Sequence, residues 1–122
     1  MKSYKDLDIY KLAFDLAIRI RSKTLELPNP DKFEVGSQLR RSSQTIKDTI
    51  AEGYGRRRYK SDFIKFLVYS HSSLLESTTQ AEFLHSIYPN KGWDCIVNEL
   101  DTLGAKIYRF IEFVEHKWKT EK

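Results

Sequence analysis

Apolar positions recur in steps of three and four along nearly the whole chain, in four runs separated by proline, asparagine and glycine. Ile9, Leu12, Ala13, Leu16, Ala17 and Ile20, with Leu27 beyond them, mark one face of a helix, because residues three and four apart share a side. Leu27-Pro28-Asn29-Pro30 ends that run, since proline lacks the amide hydrogen and drives the residue before it out of helical geometry. Phe33, Val35, Leu39, Ile46 and Ile50 repeat near the same period, and Gly53 and Gly55 are expected to close this second helix through positive φ. A third run is expected to start at Ser61 as N-cap and to pass through Phe63, Phe66, Leu67, Leu74, Ala81 and Leu84 to Tyr88, where Pro89 stops it. The last follows Asn90, with Trp93, Ile96, Val97, Leu100, Leu103, Ile107, Phe110, Ile111 and Val114, and Lys117 and Lys119 near its negative end. Nothing reads as a strand.

Four amphipathic helices of roughly eighteen to thirty residues, joined by short turns, bury their stripes best against one another. The expected fold is therefore all-α, an antiparallel up-down-up-down four-helix bundle, formed as a single domain over residues 1–122. No internal repeat or low-complexity tract competes with it, and the Pro-Asn-Pro segment is too short for a linker. Ser42, Ser43, Ser70, Ser73, Ser77 and Gly104 are expected to let helices pack closely. Trp93 and Trp118 suit either the core or a subunit contact.

Composition narrows the function classes. One cysteine, Cys95, excludes a disulfide within the chain, and charges at Lys2, Lys5, Asp6, Asp8 and Lys11 interrupt any secretory signal core. The longest stretch without Lys, Arg, Asp or Glu, Phe66 to Leu75, is ten residues, about half a membrane span. A cytoplasmic protein with no membrane partner is expected. His71 and His85 lie fourteen residues apart on one helix, about 21 Å along its axis, so they cannot share an ion. His116 stands beside Glu112 and Glu115 on what reads as a solvated face, and only Glu82-Phe-Leu-His85 and the isolated Glu76 approach a carboxylate-bridged metal pattern. Cys95, Ser72, Ser73 and Ser77 lack a histidine spaced to activate them. No metal, cofactor or catalytic residue is expected. Glu52 and Glu76 are expected to be partly buried, with Arg40 and Arg41 as partners in an ion pair between the second and third helices.

The net charge of +4 is localised: between Arg40 and Lys65 eight basic residues face three acidic ones, so this segment carries +5 and the rest of the chain −1. A basic patch of that kind is the footprint of a polyanion site. Within it, Ile50-Ala-Glu-Gly-Tyr-Gly-Arg-Arg-Arg-Tyr-Lys-Ser-Asp-Phe63 sets two glycines beside three arginines flanked by tyrosines. It is not a dinucleotide fingerprint, because Arg58 stands where the third glycine is needed. Nor is it a P-loop, because Tyr59 precedes Lys60-Ser61 and no strand precedes the glycines. Arg56, Arg57, Arg58 and Lys60 can reach phosphate oxygens, and Tyr54 and Tyr59 can stack on exposed bases. Arg40 and Arg41 are expected to assist. A merely solvated turn, with the tyrosines packed on helix ends, is the competing reading.

The strings Gln38-Leu-Arg-Arg-Ser-Ser-Gln-Thr-Ile46, Ile50-Ala-Glu-Gly-Tyr-Gly-Arg56 and Asp62-Phe-Ile-Lys-Phe-Leu67 resemble a bacterial family first noticed in intervening sequences of 23S rRNA genes. Lys5-Asp-Leu-Asp-Ile-Tyr-Lys-Leu-Ala13 and Ser72-Ser-Leu-Leu-Glu76 fit it as well. The chain departs from the pattern at Thr49, where asparagine is usual, at Ser72-Ser73 in place of Gly-Ser, and at Ser77-Thr78 in place of Leu-Glu. The resemblance implies a four-helix bundle that assembles as a ring, commonly a homopentamer, with no established enzymatic activity. It also implies kinship with accessory variability proteins of diversity-generating retroelements, which are basic pentamers that bind nucleic acid. A ring repeats one basic patch around its axis, so a weak site gains avidity.

The expected function is that of a non-enzymatic homo-oligomer that contacts RNA or DNA backbones through the arginine turn. The alternative is a scaffolding oligomer whose arginines pair with an acidic protein partner.

Overall fold

In the computed structural model, which describes residues 3–119, the chain forms four helices. A 3-10 turn at Tyr4–Asp6 leads into α1 (Asp8–Leu25), α2 (Val35–Gly55), α3 (Lys60–Ile87) and α4 (Trp93–Lys117), and among the described residues there is no strand. Their lengths of 18, 21, 28 and 25 residues fall in the expected range. α1 packs on α2 and α4, and α3 packs on α2 and α4, while the backbones of the diagonal pairs stay further apart. This is the contact pattern of a four-helix bundle wound in chain order.

Cross-helix partners fix the direction and register. Between α2 and α3, Ser42 meets Ser77 and Ser70 meets Ile46, so the partner number falls as the chain advances. The same holds for α1 with α4 (Arg19 with Glu99, Asp8 with Lys106) and for α3 with α4 (Phe63 with Phe110, His71 with Tyr108). Adjacent helices are therefore antiparallel, and the α2–α3 turn shares one end of the bundle with the N-terminal turn and the end of α4. At the opposite end Tyr88 donates a hydrogen bond to Asp31, tying the α3–α4 loop to the α1–α2 loop.

The predicted stripes supply the core: Ile9, Ala13, Leu16, Ile20, Leu39, Ile46, Ile50, Phe63, Leu67, Leu74, Ala81, Leu84, Ile96, Leu100, Leu103, Ile107 and Val114 are all buried. Trp93 joins them, and Trp118, just past α4, is half-buried with its ring 5.2 Å from that of Phe63. The small polar residues behave as their size suggests. Ser42, Ser43, Ser70, Ser77 and Gly104 are buried and Ser73 is half-buried. The buried hydroxyls are satisfied, Ser70 by the Ile46 carbonyl at 2.8 Å and Ser42 by Ser77 at 2.8 Å, so they cost little desolvation while letting α2 and α3 approach.

Three local expectations change. α3 begins at Lys60 with Tyr59 as N-cap and no side-chain cap, so the N-cap stands two residues before the expected Ser61, because the Phe63 amide already bonds the Tyr59 carbonyl. Gly53 and Gly55 do not leave α2 through positive φ; they lie inside its last turn, and the left-handed positions are Asn90 and Gly92 before α4. Glu52 and Glu76 are exposed, and neither meets Arg40 or Arg41. Glu52 pairs with Arg56 one turn along its own helix, at 3.5 Å.

Candidate nucleic-acid interface

The turn between α2 and α3 is short because α2 stays helical to Gly55 and α3 resumes at Lys60. The Arg56 and Arg57 amides close the last turn of α2 onto the Gly53 and Tyr54 carbonyls, and the Tyr59 amide bonds the Arg56 carbonyl at 2.9 Å. Such a tight path turns the side chains of Arg56, Arg57, Arg58 and Tyr59 outward, and all four are exposed. Gly53 sets the separation of the two helices. A Cβ there would stand 3.0 Å from the Phe66 Cβ, closer than two carbons pack.

Each guanidinium of the turn rests on an aromatic ring. Arg57 lies 4.1 Å from the Tyr54 ring centroid and donates to the Tyr54 carbonyl at 3.0 Å. Arg56 lies 4.6 Å over Phe66, and Arg58 6.0 Å from Tyr59. These contacts limit the rotamers that binding must freeze.

The cations differ in availability. Arg56 is flanked by Glu52 at 3.5 Å and Asp62 at 3.8 Å, so its charge is largely answered within the chain. Arg57, Arg58 and Lys60 carry no ion pair among the described residues. With the four basic residues Arg56, Arg57, Arg58 and Lys60 against the one carboxylate Asp62, residues 56–62 carry a net charge of +3.

The other expected members are placed elsewhere. Tyr54 is 4% exposed, its ring edge-on to Phe63 at 6.2 Å, so it braces Arg57 from within and presents no face to a base. Arg40 is half-buried near the opposite end, donating to Thr24 Oγ1 at 2.9 Å and to the Lys32 carbonyl at 3.0 Å, where it holds the α1–α2 loop. Arg41 is exposed but precedes Arg56 by fifteen residues, about 22 Å along α2. Three residues were missed: Lys65, Phe66 and Tyr69 adjoin the turn on the first turns of α3. Phe66 reads as a core position by period, yet it is half-buried, between buried Phe63 and Leu67 in the sequence and on the edge of their stripe.

Among the described residues no group of three or more His, Cys, Asp or Glu side chains is placed to hold a metal ion. No helix among them is long and apolar enough to cross a membrane.

Known proteins share this architecture. The model of a family described as 23S rRNA-intervening sequence protein matches residues 5–109. The crystal structure of a protein with unknown function from the S23 ribosomal protein family of Bacteroides thetaiotaomicron matches with a TM-score of 0.76 and 21% identity, over 85% of this chain and 95% of that one. At that identity the likeness shows the fold. No curated protein matches the chain.

Proposed function

The chain belongs to the 23S rRNA-intervening sequence protein family, and from that membership we propose a non-enzymatic, oligomeric bundle that binds nucleic-acid backbones through the α2–α3 turn. The observation that carries this reading is the set of cations formed by exposed Arg57 and Arg58 and half-buried Lys60, without carboxylate partners among the described residues and two of them braced on tyrosine rings. A phosphate chain offers charge at regular intervals to such a cluster, and the affinity comes from released counterions. Arg56 adds a guanidinium already oriented by Glu52 and Asp62.

Oligomerisation is supported by a separate observation. Phe14, Ile18 and Leu25 on α1 and Val68, Leu75 and Phe83 on α3 are 40–54% exposed, and the spacing within each set keeps it on one side of its helix. α1 and α3 are diagonal in the bundle, so the two apolar stripes sit on opposite sides of one subunit. Two different sticky sides favour head-to-tail contact between copies and a closed ring, which presents several turns to one polymer.

Fluorescence anisotropy with labelled RNA and duplex DNA across a salt series tests the nucleic-acid reading. The wild-type protein is expected to bind at low salt with log K falling linearly in log salt. The triple variant Arg57→Ala/Arg58→Ala/Lys60→Ala is expected to lose most binding, with the salt slope reduced by about one for each phosphate contact removed. A folded protein that binds neither polymer at low salt overturns the proposal.

A further inference from the structure

The basic turn continues along α3 as a row of aromatic rings, each with a cation of its own. Tyr59 is 63% exposed and Tyr69 46% exposed, with half-buried Phe66 between them. The Phe66 and Tyr69 rings stand edge to face, centroids 5.5 Å apart. Arg58 accompanies Tyr59, Arg56 lies over Phe66, and the Lys65 ammonium is 6.0 Å from the Tyr69 centroid. Within α3, at 3.6 residues per turn, positions 66 and 69 lie about 60° apart around the axis, and Tyr59, the extended N-cap, stands just before the first turn of the same helix. The core side of the same turns is a different set, Phe63, Leu67 and Ser70, all buried. The row is therefore a surface feature and not a spill-over of the core.

An exposed tyrosine alone needs no explanation. Three rings in succession from the N-cap into the first turns of α3, each beside a cation, match the two requirements of an unpaired strand: flat faces for its bases and positive charge for its phosphates. A duplex cannot use the rings, because its bases are already stacked on one another and offer only edges inside grooves. The one carboxylate in the row, Asp62, faces Arg56 at 3.8 Å, which reduces its repulsion of a phosphate.

We propose that the ligand of this surface is single-stranded nucleic acid, with unpaired bases stacking on Tyr59 and Tyr69 while Arg58, Lys60 and Lys65 follow the phosphates. This rests on the reading of the turn as a polyanion site, and it names which polyanion.

The test is anisotropy of the full chain with short labelled single strands of RNA and of DNA, and with the corresponding duplexes, at one fixed salt concentration. Tyr59→Ala and Tyr69→Ala are each expected to weaken single-strand binding about 5- to 150-fold and to weaken duplex binding far less. Tyr59→Phe and Tyr69→Phe, which keep the ring, are expected to bind like wild type. Comparison of the RNA and DNA strands reports whether the sugar is read, and either preference satisfies the proposal. If strands and duplexes bind alike and the alanine variants leave both unchanged, stacking is overturned while the polyanion reading stands. If Tyr69→Ala lowers the subunit number in light scattering and weakens strands and duplexes equally, the ring is a subunit contact and the proposal falls. If wild type binds no nucleic acid, both readings fall together.

Discussion

Gly53 and Gly55 stand two positions apart in the last turn of α2, and alanine is expected to act on them with opposite sign. A Cβ at Gly55 meets nothing within 4 Å and its φ is not positive, so Gly55→Ala should stabilise the protein by about 0.5–1 kcal/mol through reduced backbone freedom in the unfolded chain. Gly53→Ala gains the same helix propensity, but its Cβ would stand 3.0 Å from the Phe66 Cβ, and overpacking costs about 1–3 kcal/mol. The clash wins, with a net loss of about 1 kcal/mol; urea denaturation of both variants checks the pair. A second prediction concerns Glu99, which accepts two hydrogen bonds from Arg19 at 2.6 and 2.7 Å. Arg19 holds this carboxyl below its ordinary range. A depressed carboxylate pKa contributes stability above the unfolded value, about 4.3, and that contribution is lost as pH falls through the folded value. Both side chains are more than a third exposed, so Glu99→Gln should cost less than about 1 kcal/mol at neutral pH. Thermal melts across acidic pH should show the gap from wild type closing below the folded pKa.

At the scale of helices, the α2–α3 contact is the one built from serines. Ser42 shares its hydroxyl with Ser77 at 2.8 Å and also reaches the Leu39 carbonyl and Gln80, while Ser77 bonds the Ser73 carbonyl. This contact leads directly into the arginine turn, so its tightness sets how Phe66 meets α2. Because each serine has a backbone carbonyl to fall back on, either alanine variant should cost about 1 kcal/mol. A double-mutant cycle of Ser42→Ala and Ser77→Ala should give a coupling of about 0.5–1.5 kcal/mol. A coupling near zero would mean that each hydroxyl is held by its own helix.

For the whole molecule, the apolar stripes on α1 and α3 predict association by two different surfaces. Ile18→Glu and Leu75→Glu place a charge in the middle of one stripe each, where each residue is more than half exposed and makes little core contact. Either change alone is expected to reduce the mass seen in light scattering and to leave the helical circular dichroism signal intact. An equimolar mixture of the two variants should regain one contact, since each retains one good stripe, and form dimers. Wild-type mass equal to one subunit at all concentrations sinks the head-to-tail model.

Four stripes at helical period, broken by Pro28, Pro30, the α2–α3 glycines and Pro89, were enough to determine four helices, their order and most of the core, because burying one face per helix leaves few other packings. The serines were legible for the same reason, as small groups on faces that must approach another helix. Only the tertiary structure decided which charged and aromatic residues act together. The antiparallel register carries Arg40 to the opposite end from the turn, and the tight α2–α3 corner sinks Tyr54 beneath Arg57. It also brings Asp62 to Arg56, which Glu52 already meets one turn back along the chain, and lines Phe66 and Tyr69 up behind the arginines. Periodicity reports which side of a helix is wet or dry, whereas the edge between them, where Phe66 lies, is set by how closely a neighbouring helix approaches, and that distance hangs on the missing Cβ of Gly53.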